Sequence, residues 1–545
     1  MRSILPVTAV LGALSAIVAG QGQPELLSPA SAGVAGAPAP TAQFDVTRYP
    51  GVDPTGARSS YRGIQAALDA AAAAGGGKVY FPAGTYLVHK AVRAKSRVRI
   101  QGAGQGRTIL QSNVICRDPN TGPVDSVLIV GGGGNSPPSY DNSVSDMTIG
   151  YTQKDTARLK AGGVAALRLS QVVRATVERV TLKYGQGGIN LNRAQDALIQ
   201  NCSVYQSAQD GISCDNGSGS DPAGEVQLRG VRILSNYFEN TEDDAISVLG
   251  RATGGRSFAE DVTIAGNTVK GTRRHGGGVG VYGVRNCEIR DNKIHNTVSH
   301  GIAVHSYTSS SSYSNQDVRV SGNSITSDLP PDKVKGNTES RLGIIVGERG
   351  AITPTGKEEQ AASRRLVIEN NTIRVTDRTG IFTASRAARA RFPAADCILR
   401  GNTITFVGGE DCPVDYRGIH LQDISNWRIE DNTVSGFPSV GLLIRVHRKT
   451  EVRNNRILEC CLNPRYAGRP LVIIGDSSNR EDALAEFTGN QVRKSRGAVA
   501  ALIQITDTGG VDGIPGNYEF RNNRAEGAAK QPAGKVRLVT PSVRR

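Results

Sequence analysis

VRILSNYF at residues 231–238 is the first clear copy of a pattern that decides the fold. It returns as VTIAGNTV (262–269), CEIRDNKI (287–294), VRVSGNSI (318–325), LVIENNTI (366–373), CILRGNTI (397–404), WRIEDNTV (427–434) and TEVRNNRI (450–457). Each copy holds an aliphatic pair, a polar step, an asparagine and another aliphatic. The asparagines are Asn236, Asn267, Asn292, Asn323, Asn371, Asn402, Asn432 and Asn455, with looser copies at Asn201, Asn490 and Asn523. Their spacing runs from 23 to 48 residues. A period of that size means repeated supersecondary units.

Each unit also carries a Gly-Ile-x-Val run. Examples are DGISC from Asp210, DAISV from Asp244, GGVGV from Gly277, HGIAV from His300, LGIIV from Leu342, TGIFT from Thr379 and RGIHL from Arg417. Alternation with period 2 marks strands with one face inward. No unit has room for a 12-residue helix, so each is one coil of short strands. A single coil cannot bury its own apolar face, and coils must stack. Stacking places Ile246 over Ile212 and Ile302 over Val279, and lines the asparagines into a ladder. An asparagine there tolerates the left-handed region and gives its amide to the next coil. The expected fold is all-β, a solenoid of roughly 12 coils. The long gap between Asn323 and Asn371 marks the largest insertion.

Residues 1–20 combine one Arg with an apolar stretch ending in small residues, the pattern of a secretory signal. The expectation is a secreted or periplasmic protein. Residues 21–42 are rich in Ala, Pro, Gly and Ser and read as a disordered linker, and 531–545 as a C-terminal tail. No other segment is apolar enough to span a bilayer. The formal net charge is +15, which favours an anionic partner such as an acidic polysaccharide. Nucleic acid is not expected, because no aromatic-interleaved basic patch is visible. The solenoid is expected as a monomer or a homotrimer. Of eight cysteines, none forms a CxxC pair. Cys287 and Cys397 sit at strand positions taken by Val or Trp elsewhere. Cys412 is a candidate for an oxidised link to Cys460 or Cys461.

Residues 43–113 differ from the repeats and read as an N-terminal cap with the first coils, followed by the solenoid proper over 114–530. Ser59 or Ser60 is a candidate cap for a helix from about Tyr61 to Ala74, with Ile64, Ala67, Leu68 and Ala71 on its apolar face and Gly75–Gly77 as its stop. The wording from Tyr49 to Val88, including GIQAALDAAAAAGGGKVYFPAGTYLV, resembles the N-terminal module of the pectate lyase superfamily. That resemblance implies a single-stranded right-handed parallel β-helix with an N-terminal capping helix. It leaves the reaction open, since one fold hosts many.

Aligning the coils on Gly-Ile-x-Val gives two outer rows. The residue before the glycine runs Gly187, Asp210, Asp244, Gly277, His300, Leu342, Thr379, Arg417, Val440. Five positions on, the row runs Asn192, Asp215, Leu249, Tyr282, His305, Gly347, Ala384, Gln422, Arg445. Acids and histidines collect on the early coils, and Asp243 beside Asp244 doubles the carboxylate. Arg251, Arg274 and His275 fall in the same coils. Glycoside hydrolysis needs one protonated acid and one carboxylate, and crowding raises one carboxyl's pKa. Asp before Gly is also a common turn residue.

QDGIS at Asp210, EDDAISV at Asp243 and Asp244, SHGIAVHS at His300 and SRLGIIV at Arg341 together resemble polygalacturonase-type glycoside hydrolases. The resemblance implies Asp244 or Asp243 as general acid, the other member and Asp210 as activators of water, and His300 as support for the acid. An extra coil with RRHGGGVGVYG separates the Asp pair from His300, which makes His275 the nearer histidine along the chain. Asp215, Arg251, Arg274, His275, Tyr282, His305 and Arg341 are the candidate substrate contacts. Hydrolysis needs no cofactor and no metal. The alternative is a polysaccharide lyase or uronate epimerase, with Ca²⁺ held by Asp210, Asp215 and Asp244. The alginate-epimerase branch lacks its Asp-Pro-His motif here. A third reading is a non-catalytic glycan-binding solenoid.

Overall fold

The computed structural model describes residues 42–529, apart from 117–125, 133–135, 153–164, 217–225, 251–257, 308–313, 332–340, 350–362, 386–393, 447, 467–468, 477–484, 500–501 and 507–517. The expected signal peptide, nearly all of the linker, the C-terminal tail and Arg251 lie outside the described residues.

The chain winds as a parallel β-helix. One sheet carries the Gly-Ile strands, and its main path runs through fourteen successive strands from Val92–Ala94 to Ile503–Thr506. Every pairing in it is parallel and follows the coil order. Ile212 pairs with Ile246, Ile246 with Val279, Val279 with Ile302 and Ile302 with Ile344. The coils begin within residues 43–113, where the first of them were expected: Val92–Ala94 pairs with Leu128–Gly131. The inward row of Ile212, Ile246, Val279, Ile302, Ile344, Ile381, Ile419 and Leu442 is fully buried. Burying each such side chain stabilises by about 1.5–3 kcal/mol relative to leaving it exposed.

The second sheet holds the strands on either side of each asparagine. Asn267 shows how the corner works. Its Oδ1 accepts the main-chain N–H of Asn236 at 2.9 Å, and its Nδ2 donates to Ile233 O at 2.9 Å. The same pair of bonds runs through Asn292, Asn323, Asn371, Asn402, Asn432, Asn455 and Asn490. The left-handed residue, however, is the one before each asparagine: Ser235, Gly266, Asp291, Gly322, Asn370, Gly401, Asp431 and Asn454 all have φ between 53° and 65°. Gly, Asn and Asp dominate that position because they tolerate it. Asn201 is one of these turn residues (φ 54°), and the ladder position in its coil belongs to Cys202, whose N–H donates to Asn236 Oδ1.

The helix Tyr61–Ala73 is the only α-helix among the described residues, and it buries Ile64, Ala67, Leu68 and Ala71 as expected. Ser60 does not cap it by its side chain. Its hydroxyl instead accepts from Asp53 N at 2.8 Å and donates to Asp53 O at 3.1 Å, tying helix to turn. Cys412, Cys460 and Cys461 are buried thiols, so the expected link from Cys412 to Cys460 or Cys461 is not formed. Burial pushes the Cys460 and Cys461 thiols up to about 12, and they pack as small apolar groups. No described helix is long and apolar enough to cross a membrane.

Candidate active site

Stacking places Asp210, Asp244, Gly277 and His300 at one position of four successive coils. Gly211 N donates to Asp244 O (2.9 Å), Ala245 N to Gly277 O (3.0 Å) and Gly278 N to His300 O (2.9 Å). The first outer row read from the sequence is therefore a physical row. It stands at the edge where the Gly-Ile strands begin.

Asp244 is 5% exposed and forms the hub. Oδ1 accepts from Gly277 N at 2.9 Å, and Oδ2 accepts from the Tyr282 hydroxyl at 2.7 Å. His300 Nε2 lies 3.3 Å from Oδ1 but off the axis of a good hydrogen bond, a contact that becomes an ion pair when the imidazole carries its second proton. His300 comes from two coils away, roughly 9.6 Å at the usual strand spacing. It reaches Asp244 because the coil between has no side chain at Gly277. A Cβ there would meet His300 Nε2 at 2.1 Å. Gly280 clears the second approach, since a Cβ on it would meet the Tyr282 hydroxyl at 2.3 Å and Asp244 Oδ2 at 2.5 Å. The extra coil that separates His300 from the Asp pair in the chain is thus the gap through which they meet. His275, nearer in sequence, is exposed and acts on Asp243 only through its charge.

The three carboxyls divide electrostatically. Burial and then the charges of Asp244 and Asp243 push Asp210 well above the usual carboxylate range, against the opposing pull of the Ser213 hydroxyl and the Asp244 amide. Asp210 keeps a solvent-reachable edge although protein atoms crowd its carboxyl. Burial and Asp244 also raise Asp243. Burial raises Asp244 too, but His300, the Tyr282 hydroxyl and the Gly277 amide outweigh it and hold Asp244 below the ordinary value. Tyr282 is raised well above a free phenol by burial and the Asp244 charge. Two carboxyls pushed up stand beside one held down, and carboxyls whose pKa values are driven apart mark a candidate site for proton transfer.

The second row brings Tyr282 and His305 together, with their rings edge-to-face at 4.9 Å. Asp215 stands two coils from Tyr282, with Leu249 between them. Arg274 is exposed and lies 3.5 Å from Glu242. Arg341 is held by Asp377 Oδ2 at 3.0 Å and Pro330 O at 2.9 Å, which makes it an anchor of the coil instead of a free grip for substrate. Among the described residues no three or more His, Cys, Asp or Glu groups are arranged to hold a metal ion. Asp215 belongs to the other row, so Asp210, Asp215 and Asp244 are not gathered into one set of ligands.

Two features were missed in the sequence. Arg378 is fully buried, donating to Thr297 O (2.6 Å), Thr297 Oγ1 (2.9 Å) and Asp377 Oδ1 (2.9 Å). It pins the segment leading into His300, whose Nδ1 lies 3.3 Å from Ser299 Oγ. Only the DR pair before TGIF marks it in the sequence. The other is His420, a histidine on a late coil where the rows had indicated none; RGIHL contained it, at a position outside both rows.

This architecture is that of a right-handed parallel β-helix protein of the pectate lyase superfamily. Residues 44–327 match the family described as rhamnogalacturonase A/epimerase, pectate lyase-like, and residues 357–533 match a right-handed beta helix region. The first match covers over half of the chain, and the protein belongs to that family. Over 130 residues it is 35% identical to alginate lyase 7 of Azotobacter vinelandii, covering 22% of this chain and 14% of that protein. Over 63 residues it is 49% identical to the mannuronan C5-epimerase AlgE3 of the same organism, covering 10% and 3%. The chain thus spans a small fraction of the length of the curated relatives it matches. A tailspike protein of E. coli bacteriophage HK620, solved in complex with a pentasaccharide, superposes with a TM-score of 0.54 at 13% identity, covering 88% of this chain and 78% of the other. That likeness is one of fold.

Proposed function

We propose that this is an exported enzyme that hydrolyses glycosidic bonds in an acidic polysaccharide at the Asp210–Asp243–Asp244–His300 cluster. The observation that carries the reading is geometric: Asp210 and Asp244 stack on adjacent coils, and only Asp244 is ringed by the Gly277 amide, the Tyr282 hydroxyl and His300; that setting pushes Asp210 up and holds Asp244 down. The roles are then reversed from those the polygalacturonase resemblance implies. Asp210 gives its proton to the glycosidic oxygen as that bond breaks. Asp244 draws a proton from the water that attacks the anomeric carbon. Asp243, raised by burial and by Asp244, stands beside the reacting sugar. Tyr282, His300 and the Gly277 amide keep Asp244 ionised and fixed. The net charge of +15 attracts a polyanion over distance.

The second reading is β-elimination or epimerisation of a uronate chain. The segment similar to alginate lyase 7 and the Tyr282–Asp244 bond favour it. In that case the Tyr282 hydroxyl and Asp244 relay the C5 proton. Incubation with polymannuronate, polyguluronate and polygalacturonate, with and without chelator, separates the two. Hydrolysis yields reducing ends without ultraviolet absorbance, and elimination yields unsaturated, absorbing ends. Hydrolysis also requires activity to fall on the alkaline side as Asp210 loses its proton, at a pH above the ordinary carboxylate range, and on the acid side as Asp244 gains one, below that range. Full turnover by both Asp210→Asn and Asp244→Asn would remove the site from consideration.

A further inference from the structure

The row that holds Asp244 and His300 continues past them. His300 pairs with Leu342 and Leu342 with Thr379, and the Thr379 hydroxyl accepts from Arg417 N at 3.3 Å. Arg417 is therefore five coil steps from Asp244, or roughly 24 Å along the stack. Between them the outward row turns apolar and buried, with Ala303, Leu342, Ile345 and Phe382 packed as one cluster. At Arg417 it becomes polar again. Arg417 Nη1 lies 3.2 and 3.3 Å from the two ring nitrogens of His420, and Gln422 Nε2 lies 2.7 Å from His420 Nε2.

The charges in this second cluster do not balance. Arg417 and Arg469 share a single carboxylate, Asp415, at 2.7 and 2.5 Å. Arg445 follows on the next coil, exposed, with no carboxylate paired to it among the described residues. Among the described residues, Arg417 and Arg469 thus share one carboxylate while the Arg445 guanidinium, close enough to act on His420, has no carboxylate paired to it. His420 cannot add to the charge: burial, Arg417 and Arg445 bring it down to about 3 despite Asp415, so it is a neutral hydrogen-bonding group. An excess of fixed cations around a neutral imidazole and an amide fits the carboxylate of a ligand.

We propose that Arg417, His420, Gln422 and Arg445 form a second subsite, which binds a carboxylate of the same uronate-containing chain whose reacting residue lies at Asp244. The inference rests on the reading of an acidic polysaccharide as substrate. It makes the enzyme one that senses chain length, because only an oligomer of several residues spans both clusters.

Calorimetry on full-length Asp244→Asn protein, with oligouronates from disaccharide to decasaccharide, tests it without relying on turnover. Arg445→Gln is expected to weaken binding of the long oligomers roughly tenfold, the worth of one charge-assisted contact, and to leave the disaccharide unchanged. The loss should shrink at high salt, and Arg445→Lys should recover part of it. Equal affinity with and without Arg445 at every length would overturn the subsite, as would an equal loss for short and long oligomers. Binding of long oligomers by the parent with no dependence on Arg445 leaves the substrate reading intact. Binding of no oligouronate by the parent defeats both.

Discussion

Two surfaces of the same solenoid treat polar side chains in opposite ways. At the asparagine corner every coil from Asn236 to Asn490 repeats one arrangement, each amide accepting from the coil before it and donating back to it. All donors there are satisfied, and nothing is left to react. On the outer edge of the Gly-Ile sheet the repeat is interrupted instead. Asp210 and Asp244 crowd each other, Gly277 removes a side chain, and His300 reaches across the gap. Regularity builds the scaffold, and chemistry becomes available where regularity is broken.

The largest effect is expected from closing the gap. Gly277 is not in the left-handed region, so Gly277→Ala strains no backbone; it places a methyl where the His300 ring lies. Turnover should fall on the order of 10²–10⁴-fold, the range of a lost proton-transfer arrangement, with the circular dichroism spectrum unchanged. Wild-type turnover in this variant would mean that the His300–Asp244 approach is not needed.

Asp210→Asn should separate activity from stability. The folded-state pKa of Asp210 is raised, so a stability penalty grows as the pH rises above the unfolded value and is complete above the folded one. Below the unfolded value of about 3.9 the penalty is absent. The variant should therefore lose turnover on the order of 10²-fold yet melt higher than wild type at pH 8, with the difference closing toward pH 3. A lower Tm at pH 8 would show that the carboxyl holds the fold together.

The smallest effect on activity belongs to the regular corner. Asn323→Ala removes the acceptor for Asn292 N and the donor to Ile289 O. Leaving one buried donor unsatisfied costs about 1–3 kcal/mol, readable by urea unfolding. Turnover of the folded fraction should stay near wild type, and a specific loss of turnover would mean that the corner and the site are coupled.

Much of this was legible from residue spacing. The strand register, the inward stack of Ile and Val, the asparagine ladder and the row of Asp210, Asp244 and His300 all follow from a fixed period with two-fold alternation. Details within one coil were not. The left-handed turn belongs to the residue before each asparagine, because φ is set by steric fit at one position, which the ladder pattern does not report. Ser60 bonds Asp53 instead of the helix end, a choice between partners seven residues apart. The sequence leaves Arg341 open to substrate, and only the fold sets Asp377 beside it. Arg378 and His420 left no periodic signal, since each occurs once.

The sequence by itself determined that this chain coils, in which register, and which residues share a face, because a repeated apolar pattern can be buried in only one stacked way. Only the tertiary structure decided which of those residues touch. Contact across two coils depends on an absent side chain at Gly277, and the ionisation of Asp210 and Asp244 depends on burial and on neighbours from other coils, neither of which is written at those positions in the chain.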